Sequence, residues 1–216
     1  PYDPDKDFSL LALLPTGSLP LVAAKATGAT NIAQFVDFAR KNRVSFGSYA
    51  AGSMAHIVCN ALNQQFNLDM TVVNYRGEAP MWQDVLTGNS QVAMGSFTAA
   101  KAVLYANAGA AIAIPSTRRM RALPNTATFA EQGLDNPVFR LLSWVGFLGQ
   151  SSMPQPMVET ISALMLEAAK TERIQKLNET FGIEDPVLGH ADFKRVYEAD
   201  GPVWIENVRK LGLTPA

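Results

Sequence analysis

From Thr30 to Ile114, short apolar runs alternate with stretches of helical periodicity, and this alternation limits the fold more than any other property of the chain. Strand-like runs fall at Val44–Phe46, Met70–Asn74, Gln91–Gly95 and Ala110–Ile114. Between them, helical spacing covers about Ser53–Phe66, Ala79–Leu86 and Thr98–Ala106. Strands separated by helix-length segments predict an α/β layer with a largely parallel sheet. Ligands in such sheets sit beyond the carboxyl ends of the strands, which is where the loops at Gly47, Asn74 and Gly95 are expected to gather.

The flanks read differently. Apolar residues from Phe8 to Leu14 and from Leu19 to Ala24 predict two strands broken by a turn at Pro15–Ser18. Thr30 is the expected N-cap of a helix whose buried face carries Ile32, Phe35, Val36 and Ala39. Thr128 and Glu131 have the spacing of a capping box. Phe139–Leu148 is a long apolar stretch, and helices follow at about Gln155–Lys170, Glu172–Phe181 and Asp192–Leu211, the last with a kink expected near Gly201 and Pro202.

Within this frame the segment VSFGSYAAGSMAH, Val44 to His56, carries the strongest chemical signal. A strand feeding a loop of small residues and then a helix start leaves backbone N–H groups unpaired, and these converge on a carboxylate or phosphate without a charged side chain. The same glycines also serve a plain tight turn with close packing. No lysine follows Gly52, so the loop is not a Walker phosphate loop, and its glycines do not fit a nucleophile elbow. His56 lies one turn into the helix, and His190 is expected as a solvated neighbour of a cap. Two separated histidines and the lone Cys59 make neither a metal site nor a disulfide, and no cofactor is implied. Trp82, Trp144 and Trp204 are read as core residues, and Arg118 and Arg119 as surface ones.

Charge and hydropathy exclude some classes. The 216 residues carry 18 basic and 19 acidic side chains with no block of either sign, so the chain shows no electrostatic footprint for nucleic acid. No apolar run approaches the roughly 20 residues that cross a bilayer, and no charged-then-apolar signal segment opens the chain.

Five segments, taken in order, resemble the periplasmic substrate-binding proteins of tripartite tricarboxylate transporters, the Bug-type receptors. YDPDKDFSLLALL is similar to the family's Y-D-P-x-K-D-F, FGSYAAGSMAH to its G-S-x-G-x-G-S-x-x-H, and VNYRGEAPMWQDVLTGNSQVAM to its P-Y-K-G-x-x-P block. STRRMRALPNTATFAEQGL and SWVGFLGQSSMP match two later blocks. The resemblance implies a periplasmic-binding-protein-like, two-lobed α/β architecture, with residues 1–22 and 111–216 forming a partial first lobe and residues 23–110 a complete second one. It implies capture of a small carboxylic acid for a membrane permease, a periplasmic location and no catalysis.

By position, the resemblance assigns ligand contact to Ser48, Tyr49, Ala50, Ala51, Gly52, Ser53 and His56, to Tyr75, Arg76 and Gly77, and to Ser96, Phe97 and Thr98. Tyr49 and Ala50 stand where the family carries Gly or Ser, and Phe97 and Thr98 where it often carries Asp-Asn. These departures imply a bulkier, less polar pocket. The family's N-terminal third, with a Gly-Gly loop that holds one ligand carboxylate, has no counterpart in this chain, so half of the clamp and an open sheet edge prone to self-association are expected. Two rivals accompany this reading: a small α/β hydrolase using Ser48 or Ser53 with His56 as base, and an interaction module without a ligand.

Overall fold

The computed structural model describes residues 2–141 and 143–213, and its contacts divide the chain into two units, Pro1–Gly17 with Ser143–Pro202 and Ser18–Leu142 with Val203–Ala216. Position 142, inside the long apolar stretch, lies outside the described residues.

In the larger unit the expected alternation forms as β2 Leu21–Ala24, α1 Ile32–Ala39, β3 Ser45–Ser48, α2 Met54–Phe66, β4 Thr71–Asn74, α3 Glu78–Thr87, β5 Val92–Met94, α4 Phe97–Tyr105 and β6 Gly109–Ala113. The sheet order is β4-β3-β5-β2-β6. β3 pairs in parallel with both β4 and β5, as helical crossovers require. β2 pairs antiparallel with both β5 and β6. The expectation of a largely parallel sheet is therefore corrected: β3, β4, β5 and β6 point one way, and β2, which precedes the alternation, is inserted against them. Its LVAA run is buried along its whole length, as a central strand covered on both faces demands.

The core of this unit gathers Phe35, Phe46, Ile57, Leu62 and the stacked pair Phe129–Phe139, whose ring centroids are 4.7 Å apart. Trp82 is buried against α4 residues, and Trp204 is partly buried against the main cluster. The N-cap of α1 is Asn31, not Thr30: Asn31 is the extended residue at the boundary and its side chain accepts from Gln34 N–H at 2.9 Å. Thr30 instead donates through its backbone N–H to the Gln34 side chain, at 2.8 Å. The capping box forms reciprocally, with Thr128 N–H donating to Glu131 Oε2 at 2.8 Å and Glu131 N–H to Thr128 Oγ1 at 3.1 Å. Arg118 and Arg119 are exposed, and Arg119 pairs with Glu131, which holds the glutamate carboxyl below the usual carboxylate range.

The smaller unit holds a three-stranded antiparallel sheet ordered β7-β1-β8, from β1 Phe8–Pro15, β7 Trp144–Gln150 and the two-residue β8 Leu188–Gly189. β1 and β2, adjacent in sequence, thus enter different sheets. β8 carries no sequence signal of its own. α5 Gln155–Ala169 packs on β1 and β8, and α6 Glu172–Phe181 follows it. α7 His190–Lys210 runs through Pro202, with residues up to Pro202 in this unit and the rest in the larger one.

Phe193 of α7 is fully buried and meets Trp144 edge-on at 5.3 Å; a Cβ on Gly146 would strike its ring at 2.6 Å. His190 is not a solvated neighbour of a cap. It is half-buried, its Nδ1 lies 2.6 Å from the Leu10 carbonyl, and its backbone N–H donates to Ser162 Oγ at 2.7 Å.

The unit boundaries fall at 17/18, 142/143 and 202/203, displaced from the expected 22/23 and 110/111. The cause is the pairing of β2 with β6, Leu21 opposite Ala113 through Ala24 opposite Gly109, which binds both segments into one sheet.

Candidate functional site

The carboxyl ends of β3, β4 and β5 release three loops, the first two tied through their backbones and the third through the Glu78 side chain. Tyr75 N–H donates to the Ser48 carbonyl at 2.8 Å, and Gly77 N–H to the Tyr49 carbonyl at 3.1 Å. The first two loops therefore form one framework, set by the parallel register that continues past Ser48 opposite Asn74.

In the first loop, Ser48 is fully buried, and its Oγ donates to the Ala50 carbonyl at 2.7 Å and lies 3.0 Å from Ser53 Oγ. Its hydroxyl braces the loop from inside. Gly52 adopts φ +75°, a left-handed conformation that glycine accepts without strain, and Ser53 N–H closes the turn onto the Ala50 carbonyl at 3.2 Å. Ser53 is then the N-cap of α2, whose first-turn N–H groups have no intrahelical acceptors. Ala50 and Ala51 are exposed at the loop tip.

His56 Nδ1 accepts from Gly52 N–H at 3.2 Å, which puts the ring proton of the neutral form on Nε2. Burial pushes the His56 pKa below its ordinary value, because a charged imidazolium is poorly hydrated there. Burial also pushes the Tyr49 phenol up; the Met54 backbone and the Ser53 side chain oppose that rise, while the Glu78 charge adds to it. Tyr49 packs against two of the hydrophobic clusters of the unit.

The second loop is pinned through Tyr75. Its hydroxyl donates to Asp84 Oδ2 at 2.6 Å and lies 3.0 Å from Ser90 Oγ, so the side chain is a strut between β4 and α3. Arg76 is exposed, and Gly77 holds φ +96° immediately before α3. In the third loop Ser96 caps α4 by accepting from Ala99 N–H at 3.3 Å, and Thr98 is exposed. Phe97 turns away from the other loops into a cluster with Ile114 and Met120, with Lys101 Nζ 4.9 Å over its ring. The expected apolar contribution of Phe97 to a pocket is thus absorbed by the core.

A residue outside the expected contact set joins the third loop to the second. Glu78, the first residue of α3, accepts from Ser96 N–H at 2.9 and 3.1 Å, from Ser96 Oγ at 2.7 Å and from Trp82 Nε1 at 3.3 Å. An acid in the first turn of a helix was the available signal. Its partner 18 residues onward has no sequence trace.

The small-residue loop also has its packing role. A Cβ on Gly47 would lie 2.8 Å from Met81 Cγ and 3.0 Å from the Ala93 Cβ, so α3 reaches the sheet only because Gly47 lacks one. The hydrolase arrangement does not form: His56 Nδ1 is taken by Gly52 N–H, Ser48 Oγ by the Ala50 carbonyl, and Ser53 Oγ lies against Ser48 Oγ rather than His56. Nor do the described residues hold a group of three or more His, Cys, Asp or Glu side chains able to bind a metal ion. No described helix is long and apolar enough to cross a membrane.

A family model described as tripartite tricarboxylate transporter family receptor matches residues 1–211. A UPF0065 protein of the tcbD-tcbE intergenic region in Pseudomonas sp. strain P51 is 28% identical over 187 residues, covering 85% of this chain and 55% of that protein. A UPF0065 protein of Agrobacterium vitis is 27% identical over 171 residues, covering 78% and 49%. The chain spans about half the length of these curated relatives. Among solved structures, Rpa4515 of R. palustris with adipate superposes with a TM-score of 0.83 at 24% identity, covering 100% of this chain and 72% of that one. MatC from Rhodopseudomonas palustris with bound malate gives 0.78 at 22%, covering 96% and 71%, and the periplasmic binding protein BugD gives 0.79 at 20%, covering 98% and 71%. These likenesses establish the periplasmic-binding-protein fold.

Proposed function

The chain belongs to the tripartite tricarboxylate transporter receptor family, and on that premise we propose that it captures a small carboxylic acid in the periplasm and delivers it to the membrane permease of such a transporter. The observation that carries this reading is the joining of three loops at the carboxyl ends of β3, β4 and β5, with the α2 N-terminus among them. Contact falls to the Ala50–Ser53 turn, His56, Arg76, Gly77 and Thr98. Ser48, Tyr49 and Tyr75 hold those groups in place, and Phe97 contributes only through the core. The larger unit is then one jaw of the receptor.

Calorimetric titration of the chain against a panel of mono- and dicarboxylic acids tests the proposal. Saturable binding of at least one acid is expected; a folded chain that binds none of them overturns it and leaves the interaction module as the better reading.

Self-association is the second part of the proposal. Among the described residues β7 pairs on one side only, and it carries no charged residue or proline along WVGFLGQ, so this edge supports pairing with another copy of the chain.

A further inference from the structure

Resting on the carboxylate-receptor reading, we propose that Glu78 sets the charge a ligand can carry: the site admits an acid with one carboxylate and a neutral hydrogen-bond donor at its far end, and rejects a dicarboxylate. The start of α4 is the natural place in the third loop for a ligand anion, since its leading N–H groups lack acceptors. That place already holds an anion of the protein's own. Both Glu78 oxygens accept from Ser96 N–H, and Oε2 also accepts the Ser96 hydroxyl and the Trp82 indole N–H.

The backbone is shaped for this carboxylate. A Cβ on Gly95 would come within 3.1 Å of Glu78 Cδ, Met81 Cε and Trp82 Cζ2, so Gly95 provides the space in which the Glu78 side chain sits. In the first loop, burial raises the Tyr49 phenol and the Glu78 charge adds to that rise. A second ligand carboxylate near Ser96 meets a like charge and finds its amide donor engaged, which disfavours the dianion by repulsion as well as by loss of a partner. A neutral donor fares differently. Oε1 accepts one hydrogen bond, from Ser96 N–H, and a carboxylate oxygen has capacity for a second, which an amide or hydroxyl of the ligand supplies.

The experiment compares monocarboxylate, dicarboxylate and dicarboxylic-acid monoamide of equal chain length, at four and six carbons, by calorimetry on the full chain and on Glu78→Gln. The monoamide is expected to bind about tenfold or more tightly than the dicarboxylate, and the variant to shrink that ratio to about threefold or less. Ser96→Ala removes one bond to Glu78 and the side-chain cap of α4 while keeping the Glu78 charge and the Ser96 N–H bonds, and is expected to preserve the ratio. If Glu78→Gln does not fold, the contrast in the unaltered chain and in Ser96→Ala decides. A dicarboxylate that binds as tightly as the monoamide overturns the proposal, as does a ratio unchanged in folded Glu78→Gln, and both leave the receptor reading intact. A folded chain that binds no acid in the series overturns both.

Discussion

In the larger unit, β2 and β5 have no residue more than 3% exposed, whereas β7 of the smaller unit leaves Val145, Phe147 and Leu148 about half open to solvent. Eight of the eleven large apolar side chains exposed among the described residues lie in the smaller unit: Tyr2, Val145, Phe147, Leu148, Met157, Leu164, Leu177 and Phe181. Both units are built from strands and helices of ordinary length, so propensity does not separate them. The number of layers does. Five strands with helices against them bury continuous apolar runs, while three strands with α5 and the start of α7 leave one strand and two helix faces uncovered. The loops of the candidate site grow from the well-covered unit, which suits a site made of backbone groups that must hold their positions.

The largest effects should come from the two cores. Phe46→Ala in β3 is expected to cost about 3–5 kcal/mol, and Phe193→Ala about the same, since both rings are fully buried. The contrast between units predicts where the second loss is felt. Hydrogen exchange in Phe193→Ala should accelerate in β1 and β7 and leave β3 and β5 protected; equal acceleration in all four strands would make the two units one cooperative body.

A smaller effect tests the open edge. Phe147→Lys, at a half-exposed position of β7, should change stability by no more than about 0.5 kcal/mol while reducing self-association in sedimentation velocity. An unaltered chain that sediments as a monomer at every concentration removes the premise.

The smallest effect concerns pH at the candidate site. His56 is held more neutral in the folded chain than in the unfolded one, so the folded state binds fewer protons there. Its contribution is complete above the ordinary histidine value of 6.5 and is lost as pH falls from there through the lower folded value. Protonation also takes the Nδ1 acceptor from Gly52 N–H. Thermal unfolding followed between about pH 7.5 and 5 should show a slope that His56→Ala flattens; an equal slope in the variant assigns the dependence elsewhere.

Much of the architecture was legible in the chain because it depends on local pattern. Apolar runs bounded by glycine and polar clusters marked β3 to β6, helical spacing marked α1 to α6, and the Thr128–Glu131 pair marked its cap before any coordinates. Only residues that act near their own position in sequence were read correctly in this way. β8, two residues long, has no period to detect, and the antiparallel insertion of β2 depends on strands 73 and 92 residues away in the pairings Leu21–Met94 and Leu21–Ala113.

The candidate site divides along the same line. The sequence by itself determined that a strand, a small-residue turn and a helix start follow one another from Val44 to His56, because φ freedom at Gly52 and the cap at Ser53 are local properties. Tertiary structure decided which of the nominated side chains face one another: it turned Phe97 into the core, set Tyr75 on Asp84 and brought Glu78 to Ser96. Those choices follow from which strands pair and which helix packs over which glycine, and such long-range contacts leave no period or spacing in the chain.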